Sequence, residues 1–469
     1  MKRILLPGID EPHRESLAYL LVRAGWSVSG LLEDLSRKGG AREAFSAIGI
    51  SLHEVPDEKE YDFVFFEEGD KERYPYAFTD IMARPLITFQ ALLEENYGSR
   101  QFIGVTGTHG KGTVAAMIAW ILEVAGEDPE FLIAGRLVNF KDRKSRGEGS
   151  YLVVELDESR ESHRLLECQY MLCNFLERDH LESFPTMNDQ VHEIQRILEQ
   201  NRYLRECFVN LDCAGNRRLV EGLAMRPTGY ALHHRAEFHG EVSTDSGAVQ
   251  LTIHRRGEPL GGATLGVAGS YNGINALGAY AVTSRLGIEK GLILEALQSF
   301  RGLEDRFSIL SGAGRRVIKD VTSHPTGINA VLQEELSEAK GRRIVALLVE
   351  NWQLFEELFQ EYRSALSQVD RLLLFDGQQQ NGRPNKALRS KMDEVVPEVD
   401  LLSEIEPLLR RIEETSREGD SIYFFGDKDF AKLGDRLVAS MVTEKSVLDG
   451  EEQQPEMDGP LNLGQEDEE

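Results

Sequence analysis

The stretch GVTGTHGKGTVAAM, Gly104 to Met117, constrains the fold of this chain more than any other. The run FIGV ahead of it has the length of a buried strand, and TVAAMIAWILEVAG behind it reads as an apolar helix. Between them lie Gly107, Thr108, His109, Gly110, Lys111, Gly112 and Thr113. Strand, glycine-rich loop and helix, in that order, set a helix N-terminus and its unpaired amides at the carboxyl edge of a sheet. Glycines remove the Cβ atoms that would hold an anion off those amides, and Lys111 adds a point cation. The residues read as a phosphate-binding loop. A glycine-rich turn that only lets the helix pack closely is the other reading. Two positions depart from the general pattern: Val105 stands where its first glycine falls, and Gly112 follows the lysine in place of Ser or Thr. Thr113 is then the hydroxyl available to a magnesium ion.

Strand-like and helix-like segments alternate along most of the 469 residues, the pattern of parallel α/β layers, and the length calls for about two to four domains. We expect an N-terminal block over residues 1–99, a central block over 100–303, a third over 304–442 and a tail over 443–469. Within the central block, residues 228–268 read as a small antiparallel insertion. The net charge of −26 excludes a nucleic-acid binder, which needs a basic face. The tail is acidic and lacks aliphatic periodicity, so it reads as a disordered, solvated extension, with an acidic docking segment as the alternative. The four cysteines, Cys168, Cys173, Cys207 and Cys213, form no CxxC pair and no zinc-ligand spacing, which points to free thiols in a reducing compartment. No apolar run is long enough to cross a membrane, and the opening MKRILLPGIDEP lacks a signal-peptide core, so a soluble, cytoplasmic protein is expected.

Further stretches follow the loop in a fixed order: VVELDES (153–159), NFLERDH (174–180), GSYNGINALGAYAV (269–282), LQSFRGLEDRF (297–307) and VIKDVTSHPT (317–326). Together with the loop they resemble the ordered motifs of the Mur ligases, ATP-dependent enzymes that join an amino acid or peptide to a carboxylate. The resemblance implies a three-domain architecture: a Rossmann-like N-terminal domain, a central P-loop ATPase domain and a Rossmann-like C-terminal domain. By resemblance Lys111 serves the phosphates, and Glu155 and His180 bind the magnesium ions. Asn272 and Asn275 contact adenine, Arg306 the ATP phosphates and Asp320 the ribose, while His324 keeps one of two family histidines. The resemblance also implies ATP and Mg²⁺ as the cofactors. Glu155 and His180 are expected at the ends of two apolar strands that a parallel sheet places side by side.

The segment LESFPTMNDQVHEIQRILEQNR after His180 contains no lysine, which it shares with the muramate–alanine branch and its tripeptide-adding relatives. That resemblance favours UDP-N-acetylmuramate as acyl donor and L-alanine as amine, with a tripeptide amine as the nearest alternative. Gly112 after Lys111 also resembles the folylpolyglutamate synthase loop, which leaves an unrelated acid open. The family's glycine-rich N-terminal loop is replaced by PGIDEPHRES, where His13 or Arg14 must offset Asp10 and Glu11 if a pyrophosphate is to sit beside Gly8. LLVENWQLFEEL has no Arg or His where the alanine-adding branch carries a cationic patch. These two departures keep open a ligase-derived nucleotide-binding protein without catalysis.

Overall fold

The computed structural model describes residues 1–32, 45–54, 61–67, 70–74, 85–140, 147–181, 183–245, 248–304, 306–334, 341–376 and 386–448. They form an α/β structure with three sheets, of five, nine and six strands. The chain divides into two compact units, Met1–Phe307 with His324–Leu336 and Gln353–Leu358, and Ser308–Ser323 with Ser337–Trp352 and Phe359–Glu469. Each alternating block of the sequence carries one sheet. The division is less simple than the expected boundaries, because two segments read as part of the third block pack in the first unit.

The N-terminal sheet is parallel throughout, in the order Ser51–His53, Ser27–Leu31, Arg3–Pro7, Phe63–Phe65, Leu86–Ile87. This is the Rossmann-like winding, with the first strand in the middle. Its first helix, Pro12–Arg23, starts on a proline that fixes φ for the opening turn and buries Leu17, Ala18, Leu20 and Leu21.

In the central sheet the parallel strands run in the order Thr228–Ala231, Glu206–Asn210, Tyr170–Cys173, Gln101–Thr106, Tyr151–Glu155, Glu130–Leu132. Alternation along these strands divides their side chains between two cores. Ile103, Val105, Val153, Leu172 and Phe208 lie under the helices Lys111–Val124 and Asn272–Arg285. Phe102, Leu152, Val154, Met171 and Val209 face the opposite way, into a core that continues into the N-terminal block through Leu21, Leu92 and Phe65. That shared core is why the first two blocks form one unit. Each of these fully buried aliphatic side chains contributes about 1.5–3 kcal/mol.

Two expectations need correcting. Residues 228–268 carry the expected antiparallel strands, but as part of the central sheet and not as an insertion. Thr228–Ala231 is a parallel strand, and Phe238–Asp245, Ala248–Arg255 and Glu258–Thr264 extend the same sheet as an antiparallel edge. The tail also begins later than expected. The helix Leu433–Leu448 runs on past Val442, anchored by Leu433, Leu437 and Met441 at helical spacing against Phe424 and Ile412. The remaining tail, 449–469, lies outside the described residues. All four cysteines are buried free thiols, as expected. No described helix is long and apolar enough to cross a membrane.

The six-stranded sheet of the second unit has the order Ser308–Gly312, Arg315–Asp320, Ser421–Phe425, Arg343–Val349, Arg371–Asp376, Glu398–Leu402. Only its first pair is antiparallel.

Candidate active site

Gly107, directly after the phosphate-loop strand Gln101–Thr106, has φ +121°, and the loop closes at Gly110 at φ +76°, the N-cap of the helix Lys111–Val124. A Cβ at Gly107 would sit 2.5 Å from the Phe175 carbonyl oxygen, and one at Gly110 2.5 Å from Asn275 Oδ1. Left-handed backbone and crowding together demand glycine at both. Gly110 has no side chain to cap the helix, so the first-turn amides are left for something else.

The loop is held from behind by the segment that follows strand Tyr170–Cys173. The Thr108 amide donates to Phe175 O at 2.6 Å. The Thr108 hydroxyl donates to Glu177 O (3.1 Å) and accepts from the Glu177 amide (2.9 Å). Asn174 Nδ2 donates to His109 O at 2.9 Å and to Asn275 Oδ1 at 2.8 Å. Asn275 Nδ2 donates in turn to Asn272 Oδ1 (3.0 Å), and Asn272 Nδ2 to Ala268 O (2.6 Å). Tyr230 O–H closes the set on Asn174 Oδ1 at 2.9 Å. This buried chain of amides ties the loop to the start of helix Asn272–Arg285.

On the open side, Lys111 Nζ meets Glu158 Oε2 at 3.1 Å. Burial works against the ammonium, but Glu158, Asp157 and Glu155 outweigh it and hold its proton above the ordinary lysine value. Glu155 is buried at the end of its strand and accepts the Ala134 amide at 2.8 Å. Burial pushes its carboxyl up, against the pull of Lys111, that amide and Arg306. A Cβ at Gly112 would lie 3.1 Å from Glu155 Oε2, so the residue after the lysine faces the carboxylate directly. Asp157 is held well below the usual carboxylate range: burial resists this, but Lys111, His13, His180 and Ser159 prevail. His180 Nε2 stands 4.0 Å from Asp157 Oδ1, on backbone at φ +52°. A left-handed histidine costs about 1–3 kcal/mol of strain.

Glu155 and His180 do not come from adjacent strands. The phosphate-loop strand lies between Tyr151–Glu155 and Tyr170–Cys173, and His180 sits on the loop beyond the latter. Both carboxyl edges therefore flank Lys111, a better arrangement than the one expected.

Comparison with known proteins places the central block and shows what the whole chain is similar to. Residues 105–283 match the Mur ligase middle domain. The UDP-N-acetylmuramate–L-alanine ligase of Synechococcus sp. (strain JA-3-3Ab) is 28% identical over 467 residues, covering 97% of this chain and 89% of its own. The UDP-N-acetylmuramate–alanine ligase MurC of Thermotoga maritima superposes with a TM-score of 0.77 at 21% identity, over 95% of this chain and all of its own. A murein peptide ligase from Psychrobacter arcticus gives 0.69 at 20% identity, over 94% and 99%. The central block is thus a Mur ligase middle domain, and the chain is similar to Mur ligases along nearly its whole length.

The N-terminal loop of this chain is arranged differently from the expectation. Arg14, 4% exposed, donates from Nη1 to Pro7 O (2.6 Å) and pairs with Glu67 (2.8 Å) and Asp70 (2.8 Å). Glu11 is neutralised by Arg160 at 2.8 Å and by Arg73, with Arg14 at 3.6 Å. The space beside Gly8 is taken by Tyr74 Oη and Arg14 Nη1, which lie 2.9 and 3.0 Å from where a Cβ would be. His13 supplies no charge to this loop. Burial and the neighbouring His163 push it down to about 3, so it is neutral, 3.7 Å from Asp157 and edge-on to His163.

Other predicted residues divide between the units. Arg306 belongs to the first unit and acts electrostatically on Glu155. Thr113 lies in the first turn of the loop helix. His324 meets His109, their ring centroids 4.4 Å apart. Asp320 is buried at the end of Arg315–Asp320 in the second unit. Asn174, Glu177, Arg160, His163 and Tyr230 went unrecognised as site residues. Asn174 and Glu177 lie inside the quoted NFLERDH and were within reach of sequence reading. Arg160, His163 and Tyr230 carry no local signal, since only strand order brings them near the loop.

Proposed function

We propose that this chain joins L-alanine to the carboxylate of UDP-N-acetylmuramate, consuming ATP through an acyl phosphate. The reading is carried by the meeting of Lys111, Glu155, Asp157 and Glu158 at the uncapped start of the phosphate-loop helix. The names and coverage of the relatives support the choice of substrates. The Thr108 amide is spent on Phe175, so the amides nearer Lys111, Gly112 and Thr113 are left to receive phosphate oxygens. Lys111 places a fixed ammonium against the γ-phosphoryl charge, and Arg306 adds a second cation. Asn272 and Asn275 are assigned to the adenosine end.

Magnesium fits the donors here. Glu158 Oε1 is buried without a hydrogen-bond partner, and Glu155 adds a second buried carboxylate. Thr113 and Glu155 would hold one magnesium ion and His180 a second, and the metal would supply positive charge against the phosphates. The residues do the rest. The carboxylates fix Lys111 as an ammonium, and Asp157 stays ionised beside His180.

One observation favours a second reading, in which the acyl donor is another acid. Tyr74 and Arg14 fill the space beside Gly8, and Glu11 already pairs with the arginines there. The test is phosphate release with ATP, Mg²⁺, UDP-N-acetylmuramate and L-alanine or a tripeptide. Release with L-alanine is expected. Release only with the tripeptide moves the amine assignment, and ATP binding without release for any pair leaves a nucleotide-binding protein. Calorimetry showing no binding of the UDP-sugar beside normal ATP binding favours the second reading.

A further inference from the structure

The phosphate loop carries a second cluster on its clamped side. His109 from the loop, Glu177 from the clamping segment and His324 just ahead of the helix Pro325–Glu334 each offer one ligand atom, all within 4.8 Å of one another. His109 Nε2 is 3.2 Å and His324 Nδ1 3.9 Å from Glu177 Oε2. All three belong to the first unit. We propose that they hold a divalent transition metal of the zinc class, through two imidazole nitrogens and a carboxylate oxygen.

The details fit ligation better than a hydrogen-bonded latch. His109 Nε2 is buried and makes no hydrogen bond, although Glu177 lies close by. In a tetrahedral zinc site with ligands at about 2.0–2.1 Å, neighbouring ligand atoms stand about 3.3 Å apart. The 3.2 Å separation matches that edge, and the 3.9 Å one needs a small rotation of His324. His324 is prepared for it. Its Nε2–H donates to Arg178 O (3.2 Å), which leaves Nδ1 unprotonated; that lone pair now takes the Thr326 amide at 3.3 Å, and the rotation toward the metal gives up this long bond. One N–H held on a backbone carbonyl, with the other nitrogen unprotonated, is how ligating histidines are oriented. The Thr326 hydroxyl fixes the carboxylate by donating to Glu177 Oε2 at 2.7 Å. Side-chain exposures of 19% for His109 and 29% for Glu177 leave a path for the ion to enter. Two imidazoles select zinc, cobalt or nickel over magnesium, so this site is chemically separate from the hard-oxygen position at Glu155. Bound metal would pin the phosphate loop to the segment carrying His324. The proposal stands whether or not the chain hydrolyses ATP.

The test titrates Co²⁺ into the full-length, chelator-treated, nucleotide-free protein in excess Mg²⁺, which occupies hard-oxygen positions. One Co²⁺ per chain should bind with the visible d–d absorption of nitrogen-ligated cobalt, and Zn²⁺ should displace it. Glu177→Gln and His324→Ala should each weaken binding by at least about tenfold, while Glu155→Gln leaves it unchanged. Melting curves of each variant without metal separate a lost ligand from a lost fold. No cobalt spectrum in the unmodified protein overturns the proposal, as does a spectrum kept by Glu177→Gln and lost in Glu155→Gln.

Discussion

Removing Lys111 takes away a cation and also strands an anion. Its ammonium is the 3.1 Å partner of Glu158, whose side chain is fully buried. Lys111→Ala should lower ATP-dependent phosphate release by about two to three orders of magnitude. It should also cost about 3–5 kcal/mol of stability, because a buried carboxylate is left unpaired. Adding Glu158→Gln should recover most of the melting temperature and none of the activity. Full activity in Lys111→Ala would refute the phosphate-loop assignment. His180 is a different case. Its ring faces Asp157 at 4.0 Å, at the edge of the carboxylate cluster. His180→Ala should leave ATP affinity nearly unchanged in calorimetry while lowering amine-dependent phosphate release by about two orders of magnitude or more. Equal losses in both measurements would make it a nucleotide-binding residue instead.

At the level of elements, the phosphate loop is a surface feature shaped by buried neighbours. The amide chain from Ala268 through Asn272, Asn275 and Asn174 reaches His109 O behind Gly110. Asn275→Ala breaks that chain at its centre, leaving Asn174 Nδ2 and Asn272 Oδ1 each short of a buried partner. The expected cost is about 1–3 kcal/mol in the melt, together with weaker ATP binding. If stability is untouched while ATP affinity falls, the residue acts on adenine and not on the loop. The N-terminal loop gives a prediction of opposite sign. Glu11 occupies Arg160 and Arg73 beside Gly8. Glu11→Gln should therefore tighten binding of UDP-N-acetylmuramate, by removing a negative charge that stands beside Gly8 against its pyrophosphate. Unchanged or weaker binding would place that ligand away from this loop.

At the scale of the whole molecule, buried neutral histidines make the first unit acid-sensitive, His324 pushed down to about 4 and two others further. His13 and His163 are both pushed from the usual 6.5 down to about 3, chiefly by burial. Between those values the unfolded chain takes up protons that the folded one refuses. Stability is therefore full above about pH 6.5 and falls as the pH drops toward 3, by up to about 1.4 kcal/mol per pH unit for each histidine. His163→Gln keeps an acceptor for the Asp157 amide, which donates to His163 Nδ1 at 3.0 Å, and should flatten this limb in chemical denaturation. An unchanged slope would assign the acid sensitivity elsewhere. What was legible in the sequence is what short spacing controls. Strand, glycines, lysine and helix lie within one local segment, so Lys111 and the left-handed glycines follow from backbone geometry alone. The alternation of apolar runs likewise announced three sheets. Strand order is a different kind of fact, because hydrogen bonding between strands distant in sequence decides it. It put the phosphate-loop strand between the two that lead to Glu155 and His180, and it turned the region around residues 228–268 into an edge of the same sheet. It also chose the partners of the charges. Lys111 met Glu158, Arg14 met Glu67 and Asp70, and His13 met Asp157 instead of compensating Glu11. A charge read from sequence has a sign but no neighbour; only packing fixes the distance and the burial on which its energy depends.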